Sequence, residues 1–273
     1  MPFSFAPARL GLARLGLALA TAVALALPAA ADDARLRTLG TADETRGWEA
    51  VGRLNFGESG FCTAALVTSD VVITAAHCLF DKESGERIPA EEIEFQAGLR
   101  FGRAEAYRGV RRIVIHPGYD FSEANRLGRV SVDLALLELD RPIRNGHVRP
   151  FRTQLRVRTG QTVQVVSYAR ERADAPSREE ACTILTRDHE ILVLSCSVDF
   201  GASGAPVFAT FEDEVRLVSV ISAKAEWEGR QVALAAVMEE ELDVLIGEFA
   251  RTPAAATVGK RIVVDPVETA ARD

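Results

Sequence analysis

Twelve short apolar runs, each about the length of a strand and each closed by turn residues, constrain this chain more than any other feature. The first six are Val51–Phe56, Phe61–Thr68, Val71–Ala75, Ile93–Ala97, Ala106–Ile115 and Leu134–Leu139. The second six are Thr162–Tyr168, Cys182–Thr186, Ile191–Ser195, Pro206–Thr210, Arg216–Ala223 and Gln231–Val237. They are rich in Val, Ile and Leu, and Leu54 and Phe56 alternate with Arg53 and Asn55 as in a half-buried strand. Helical periodicity is nearly absent until Met238–Phe249, where Leu242, Leu245, Ile246 and Phe249 recur at three and four. Many short strands with turn-rich gaps exclude a parallel α/β sheet and favour a barrel or sandwich. Residues 140–159 carry Pro142, Asn145, Gly146 and Pro150 and read as a connector between the two sets. Residues 32–47 read as a loose polar lead-in, and the Ala-rich tail ends in a brief strand-like run, Arg261–Val264.

The start of the chain has a different character. Arg9 and Arg14 precede the apolar run Leu15–Leu27, which ends in Pro28-Ala29-Ala30-Ala31. A basic start, a short apolar centre and a small-residue end form a secretory signal, expected to be cut after Ala31. The run is shorter than the ~20 residues a membrane-spanning helix needs, so no stable membrane anchor is expected. The product is expected to be exported, to the periplasm or outside the cell, where disulfides persist. A formal charge of −7 gives no general attraction to nucleic acid. With four His, the chain has little to build a histidine-rich metal site, and neither a metal nor another cofactor is expected.

Three segments carry chemistry. Val71-Val72-Ile73-Thr74-Ala75-Ala76-His77-Cys78 brings a strand into a small-residue turn with His77 at its end. Val132-Asp133-Leu134-Ala135-Leu136-Leu137 fixes Asp133 at the mouth of an apolar strand. Asp199-Phe200-Gly201-Ala202-Ser203-Gly204-Ala205-Pro206 sets Ser203 among small residues. Glycines at 201 and 204 permit backbone geometry that a side chain would block. A serine hydroxyl is a poor nucleophile until a His takes its proton, and the His needs an acceptor to fix its tautomer. The three segments supply one of each. Asp120 is the rival orienter, but it lies in a polar loop. His116, before a Pro-Gly turn, reads as a turn or surface group, His147 lies in the connector and His189 in a hairpin tip.

Together, Thr74-Ala75-Ala76-His77-Cys78, Asp133-Leu134-Ala135-Leu136-Leu137 and Gly201-Ala202-Ser203-Gly204-Ala205-Pro206 resemble the signature segments of trypsin-like (chymotrypsin-fold) serine proteases. Ile115-His116-Pro117-Gly118-Tyr119 resembles a further stretch of that family, and the likeness spans roughly residues 48–249. The resemblance implies an all-β fold of two antiparallel six-stranded β-barrels with a C-terminal helix and the site in the inter-barrel cleft. The chain then divides into a signal peptide (1–31), lead-in and first barrel (32–140), connector (141–159), second barrel and helix (160–249) and tail (250–273). The implied activity is a serine endopeptidase acting on a protein or peptide substrate through an acyl-enzyme. His77 is then the base, Asp133 its orienter and Ser203 the nucleophile, with Gly201 and Ser203 as oxyanion-hole donors.

The departures sharpen this picture. Ala202 stands where the family's animal digestive members carry an Asp that pairs with a new N-terminus, and no Ile-Val-Gly-Gly start is present. Both partners of that activating ion pair are missing, and the chain looks most like bacterial exported members. Ser197 falls at the family's pocket floor, and Ser222 and Lys224 on a pocket strand. Uncharged Ser197 favours an uncharged residue at the cut, while Lys224 would attract an acidic group or narrow the pocket. Four cysteines allow three pairings and sequence alone does not choose; the oxidising destination and neighbouring placement favour Cys62–Cys78 and Cys182–Cys196. A zinc site from Cys62, His77 and Cys78 has poor geometry, because His and Cys are adjacent in a tight turn. The rival to an active enzyme is a catalytically restrained relative that binds a peptide in the cleft. The sequence leaves the oligomeric state open.

Overall fold

Six strands close on themselves in the first half of the molecule. The computed structural model describes Met1, residues 36–57 and residues 60–253. Apart from Met1, the segment expected to be a leader and the expected run Arg261–Val264 lie outside the described residues. After β1 (Leu36–Thr38) come β2 (Val51–Asn55), β3 (Phe61–Leu66), β4 (Val71–Thr74), β5 (Glu94–Ala97), β6 (Ala106–Ile115) and β7 (Ala135–Leu139). Strands β2 to β7 form a closed barrel in the order β2-β3-β4-β7-β6-β5. Alternation sorts their side chains: Leu54 and its register partner Phe95 are fully buried.

The second half departs from the expected fold. It contains β8 (Thr162–Ala169), β9 (Arg172–Asp188), β10 (Ile191–Leu194), β11 (Pro206–Phe211), β12 (Glu214–Trp227) and β13 (Arg230–Ala236). These are not a second six-stranded barrel. They form a seven-stranded sheet in the order β1-β9-β10-β13-β12-β11-β8, with β9 also pairing β8. Two features produce the difference. Leu36–Thr38, in the segment expected to be a loose lead-in, adds to β9 as an edge strand. β9 is also 17 residues long and pairs with β8, β10 and β1 along its length. Its first half is polar, so only the later part stood out as an apolar run.

One hydrophobic cluster spans both halves, and the second half has a further cluster of its own around Val163, Cys182, Leu194 and Val207. Phe151 of the connector packs tilted against Phe208 of β11 with ring centroids 4.5 Å apart, and Trp48 meets Phe208 edge-on at 5.1 Å. Two α-helices occur among the described residues, the short α1 (Arg126–Ser131), which the sequence did not announce, and α2 (Glu241–Arg251). Leu242 and Leu245 bury the inner face of α2, whereas Ile246, expected on that face, is 49% exposed. Arg112 ties down the end of α2: its guanidinium lies 3.8 Å from the centre of the Phe249 ring and its Nε 2.7 Å from Glu138 Oε2.

His116 anchors the start of α2. It is buried rather than at the surface, with Nε2 2.8 Å from Glu241 Oε2 and Nδ1 accepting the Gly118 N–H at 3.2 Å. Burial holds the imidazole below its ordinary pKa, outweighing the attraction of Glu241. A depressed folded-state pKa contributes stability that is fully present above the ordinary value of ~6.5 and is lost as pH falls through the lowered one. Thermal unfolding midpoints should therefore drop more steeply below pH ~6.5 in the parent than in His116→Gln. Parallel pH profiles of the two proteins would contradict this role for His116.

Candidate active site

β4 delivers the chain into a 3-10 turn, Ala76–Leu79, that carries His77. The Cys62–Cys78 disulfide, with Cα atoms 6.2 Å apart, ties this turn to β3. Asp133 follows α1 and enters β7 at 3% exposure. Its carboxylate is used on both oxygens. Oδ1 accepts the His77 backbone N–H at 2.8 Å, and Oδ2 lies 2.7 Å from His77 Nδ1. Ser222 Oγ donates to the same Oδ2 at 2.5 Å. Asp133 therefore places the imidazole proton on Nδ1 and leaves the Nε2 lone pair free to accept a proton.

Ser222 reaches Asp133 because of a bulge. Register between β12 and β13 shifts between Ile221 and Ala223, and a bulge re-aims the side chain it contains. The hydroxyl of Ser222 is bonded on the Nδ1 side of the imidazole, away from Nε2. His77, Asp133 and Ser222 form a hydrogen-bonded cluster in which Ser222 positions the carboxylate.

Ser203 sits half-buried in the turn before β11. Gly201 and Gly204 have φ of +99° and +75°. A Cβ on Gly201 would come within 2.5 Å of the Phe61 ring, and one on Gly204 within 2.3 Å of the Thr63 carbonyl. Neither position admits a side chain. Ala202 N–H donates to Asp199 O and Gly204 N–H to Ile221 O, whereas among the described residues the N–H groups of Gly201 and Ser203 meet no protein acceptor. No hydrogen bond joins Ser203 Oγ to His77 among the described residues.

Thr63 of β3, which belongs to no motif in the sequence, holds this turn. Its N–H donates to Ser203 O at 2.9 Å, and its hydroxyl donates to Gly201 O at 2.9 Å while accepting the Tyr168 N–H at 3.0 Å. Thr74 Oγ1 in turn donates to Thr63 O at 2.8 Å. One fully buried residue thus joins the first barrel, β8 and both ends of Gly201–Ser203, the Gly201 end through its hydroxyl and the Ser203 end through its backbone N–H. The only signal in the sequence was a lone polar residue in the apolar run Phe61–Thr68.

Two clefts flank His77. One, of about 460 Å³, is lined by Cys62, Phe61, Phe80, Arg170, Phe200 and Gly201. The other, of about 720 Å³, includes Asp133, Ser222 and Lys224. Lys224 Nζ lies 3.6 Å from Asp199 Oδ1 and 5.0 Å from the centre of the Phe200 ring. Ser197 is exposed, lines neither cleft, and donates its N–H to Glu179 Oε2 at 2.9 Å. Burial, reinforced by the nearby Asp133 carboxylate, pushes the Tyr119 hydroxyl up, so it faces the larger cleft as a neutral group. The Cys182–Cys196 bridge, with Cα atoms 5.0 Å apart, fastens β9 to the loop that runs from β10 into the Ser203 turn. Cys62 and Cys78 lie close to His77, but both sulfurs are consumed in their disulfide and offer no thiolate to a metal.

Comparison with known proteins agrees with this geometry. The family model described as Trypsin matches residues 38–231, more than half of the chain. A Modular serine protease of Drosophila melanogaster is 40% identical over 99 residues, which is 33% of this chain and 15% of that protein. Coagulation factor IX of Cavia porcellus is 32% identical over 127 residues, 44% of this chain and 40% of the relative. The chain thus spans less than half the length of either relative. Among solved structures, that titled "Structure of Glu endopeptidase in complex with MPD" superposes with a TM-score of 0.63 at 17% identity, covering 79% of this chain and 96% of the other. At that identity the likeness is one of fold. The family match, and the His77–Asp133 pair set beside a glycine-bounded serine turn, show that the chain belongs to the trypsin family.

Proposed function

We propose that the chain is a serine endopeptidase, with Ser203 as nucleophile, His77 as general base and Asp133 as its orienter. The observation that carries this reading is the double hold of Asp133 on His77, which leaves Nε2 as the basic nitrogen. Ser203 Oγ attacks the substrate carbonyl carbon as Nε2 takes its proton. The resulting oxyanion accepts the uncommitted N–H groups of Gly201 and Ser203. Collapse breaks the peptide C–N bond, the imidazolium gives its proton to the leaving amine, and the acyl group stays on Ser203 as an ester. Water, deprotonated by the same Nε2, then attacks the ester; its C–O bond breaks, the acid leaves and the imidazolium returns the proton to Ser203 Oγ. A Ser–His hydrogen bond of this kind commonly closes only when substrate fills the cleft.

In this reading Thr63 replaces the absent N-terminal ion pair as the support of the oxyanion turn, so no further cut is needed after removal of the leader. Export, in the manner of bacterial members of the family, is part of the same proposal. It is supported by the leader pattern and by two disulfides, which an oxidising compartment preserves. No helix among the described residues is long and apolar enough to cross a membrane. A protein or peptide is the substrate, and Lys224 on the cleft wall makes the site receptive to acidic groups. One observation favours a second reading, a restrained peptide binder: Ser203 Oγ makes no hydrogen bond to His77 among the described residues.

A fluorophosphonate probe separates the two readings. The enzyme forms a single adduct on Ser203, and Ser203→Ala or His77→Ala lowers kcat by about 10⁴–10⁶. A well-folded protein that takes no label and turns over no peptide would establish the binder instead.

Thr63 has its own test. Thr63→Val keeps the shape but loses the hydroxyl that holds Gly201 O, and kcat is expected to fall about 10- to 100-fold with KM little changed. Thr63→Ser should restore most of the loss. If Thr63→Val retains the parent kcat, the turn is supported elsewhere.

A further inference from the structure

The larger cleft beside His77 has a charge opposite to that of the chain. The chain carries a net −7, yet four cations, Lys82, Arg126, Arg129 and Lys224, line this cleft. Its one carboxylate among the described residues, Asp133, is occupied by His77 and Ser222. Three of the cations are partly satisfied within the protein, Lys82 by standing 5.8 Å over the centre of the Phe200 ring. Arg129 Nη1 donates to Phe121 O at 2.6 Å, and Lys224 Nζ lies 3.6 Å from Asp199. Lys82 and Arg126 are exposed, and among the described residues neither is in an ion pair with a carboxylate. Between the cations the wall is apolar, with Leu127 53% exposed.

The backbone of the same cleft offers a place for an extended chain. β12 runs on to Trp227, but its partner β11 leaves it at Val220. From Ser222 onward β12 is paired only with β13, so one edge is open beside His77. An extended peptide can add to such an edge, with main-chain hydrogen bonds giving affinity and alternate side chains giving specificity.

We propose that this cleft binds an extended acidic peptide, with Glu or Asp side chains meeting Arg126, Lys82 and Lys224. The inference rests on the protease reading only in placing those carboxylates upstream of the scissile bond. Excess positive charge draws such a segment in and selects it from neutral sequences.

Binding to Ser203→Ala protein isolates this claim from turnover. The probes are a short fluorescein-labelled peptide with successive Glu residues and its Gln counterpart, followed by anisotropy. At low salt the Glu peptide should bind about fivefold tighter or more, with the ratio shrinking as salt rises. Arg126→Glu should bring the ratio to one or below, and Arg126→Lys should keep it. Equal affinities at low salt, no saturable binding of the Glu peptide, or a ratio unchanged by Arg126→Glu together with Lys82→Glu would each overturn the proposal. Failure of the enzyme reading appears elsewhere, as absent labelling of Ser203, and a charge-selective binder without labelling would leave the acidic-peptide cleft standing.

Discussion

The site depends on the Asp133 carboxylate. It is nearly inaccessible to solvent, and a charge buried there is tolerable only because three donors meet it: the His77 N–H, the His77 ring and the Ser222 hydroxyl. Those donors come from different parts of the fold. His77 rides on the turn after β4 in the first barrel, and Ser222 on the bulge of β12 in the seven-stranded sheet. One carboxylate therefore couples the relative placement of the two halves to the tautomer of a single imidazole. Losing any one donor would leave a buried oxygen less satisfied and the ring less constrained.

A second junction sets the serine turn. Thr63 spends every polar group of its residue on another segment: the N–H on Ser203, the hydroxyl on Gly201 and Tyr168, and the carbonyl on Thr74. The carbonyls of Gly201 and Ser203 are turned toward Thr63, while their N–H groups remain without protein acceptors among the described residues. The positive φ at Gly201 and Gly204 lets the backbone pass within contact distance of Phe61 and Thr63. Small residues here are a packing requirement before they are a catalytic one. Ala202, standing where relatives with an activating ion pair carry an acid, is itself buried at 1% exposure, so a charge there would have to be desolvated.

Much of this was legible in the sequence because the signals were local. Strands with one buried face show their alternation, and the strands of the first barrel appear close to where the apolar runs place them. His77, Asp133 and Ser203 stand beside small or apolar neighbours that mark strand ends. Other features were hidden because they depend on partners distant in the chain. β1 and the first half of β9 are polar and exist through backbone pairing, which leaves no apolar trace, and they turn an expected second barrel into a seven-stranded sheet. His116 looked superficial beside Pro117 and Gly118, and its burial comes from α2, more than a hundred residues later. Ser222 does line the larger cleft, as expected of a pocket residue, but its bond to Asp133 comes from a one-residue bulge that leaves no sign in the sequence. Thr63 carried no signal beyond being polar in an apolar run.

The claim on which the chemistry turns is that Asp133 fixes the imidazole proton on Nδ1 and leaves Nε2 basic. Nitrogen-15 NMR of histidine-labelled protein at mildly alkaline pH reads this directly, because protonated and unprotonated ring nitrogens resonate far apart. His77 is expected to show a protonated Nδ1 and an unprotonated Nε2, with the proton moving to Nε2 in Asp133→Asn, whose side-chain amide presents a donor to the ring. A parent protein whose His77 already carries its proton on Nε2, or whose ring is unaffected by Asp133→Asn, would contradict it.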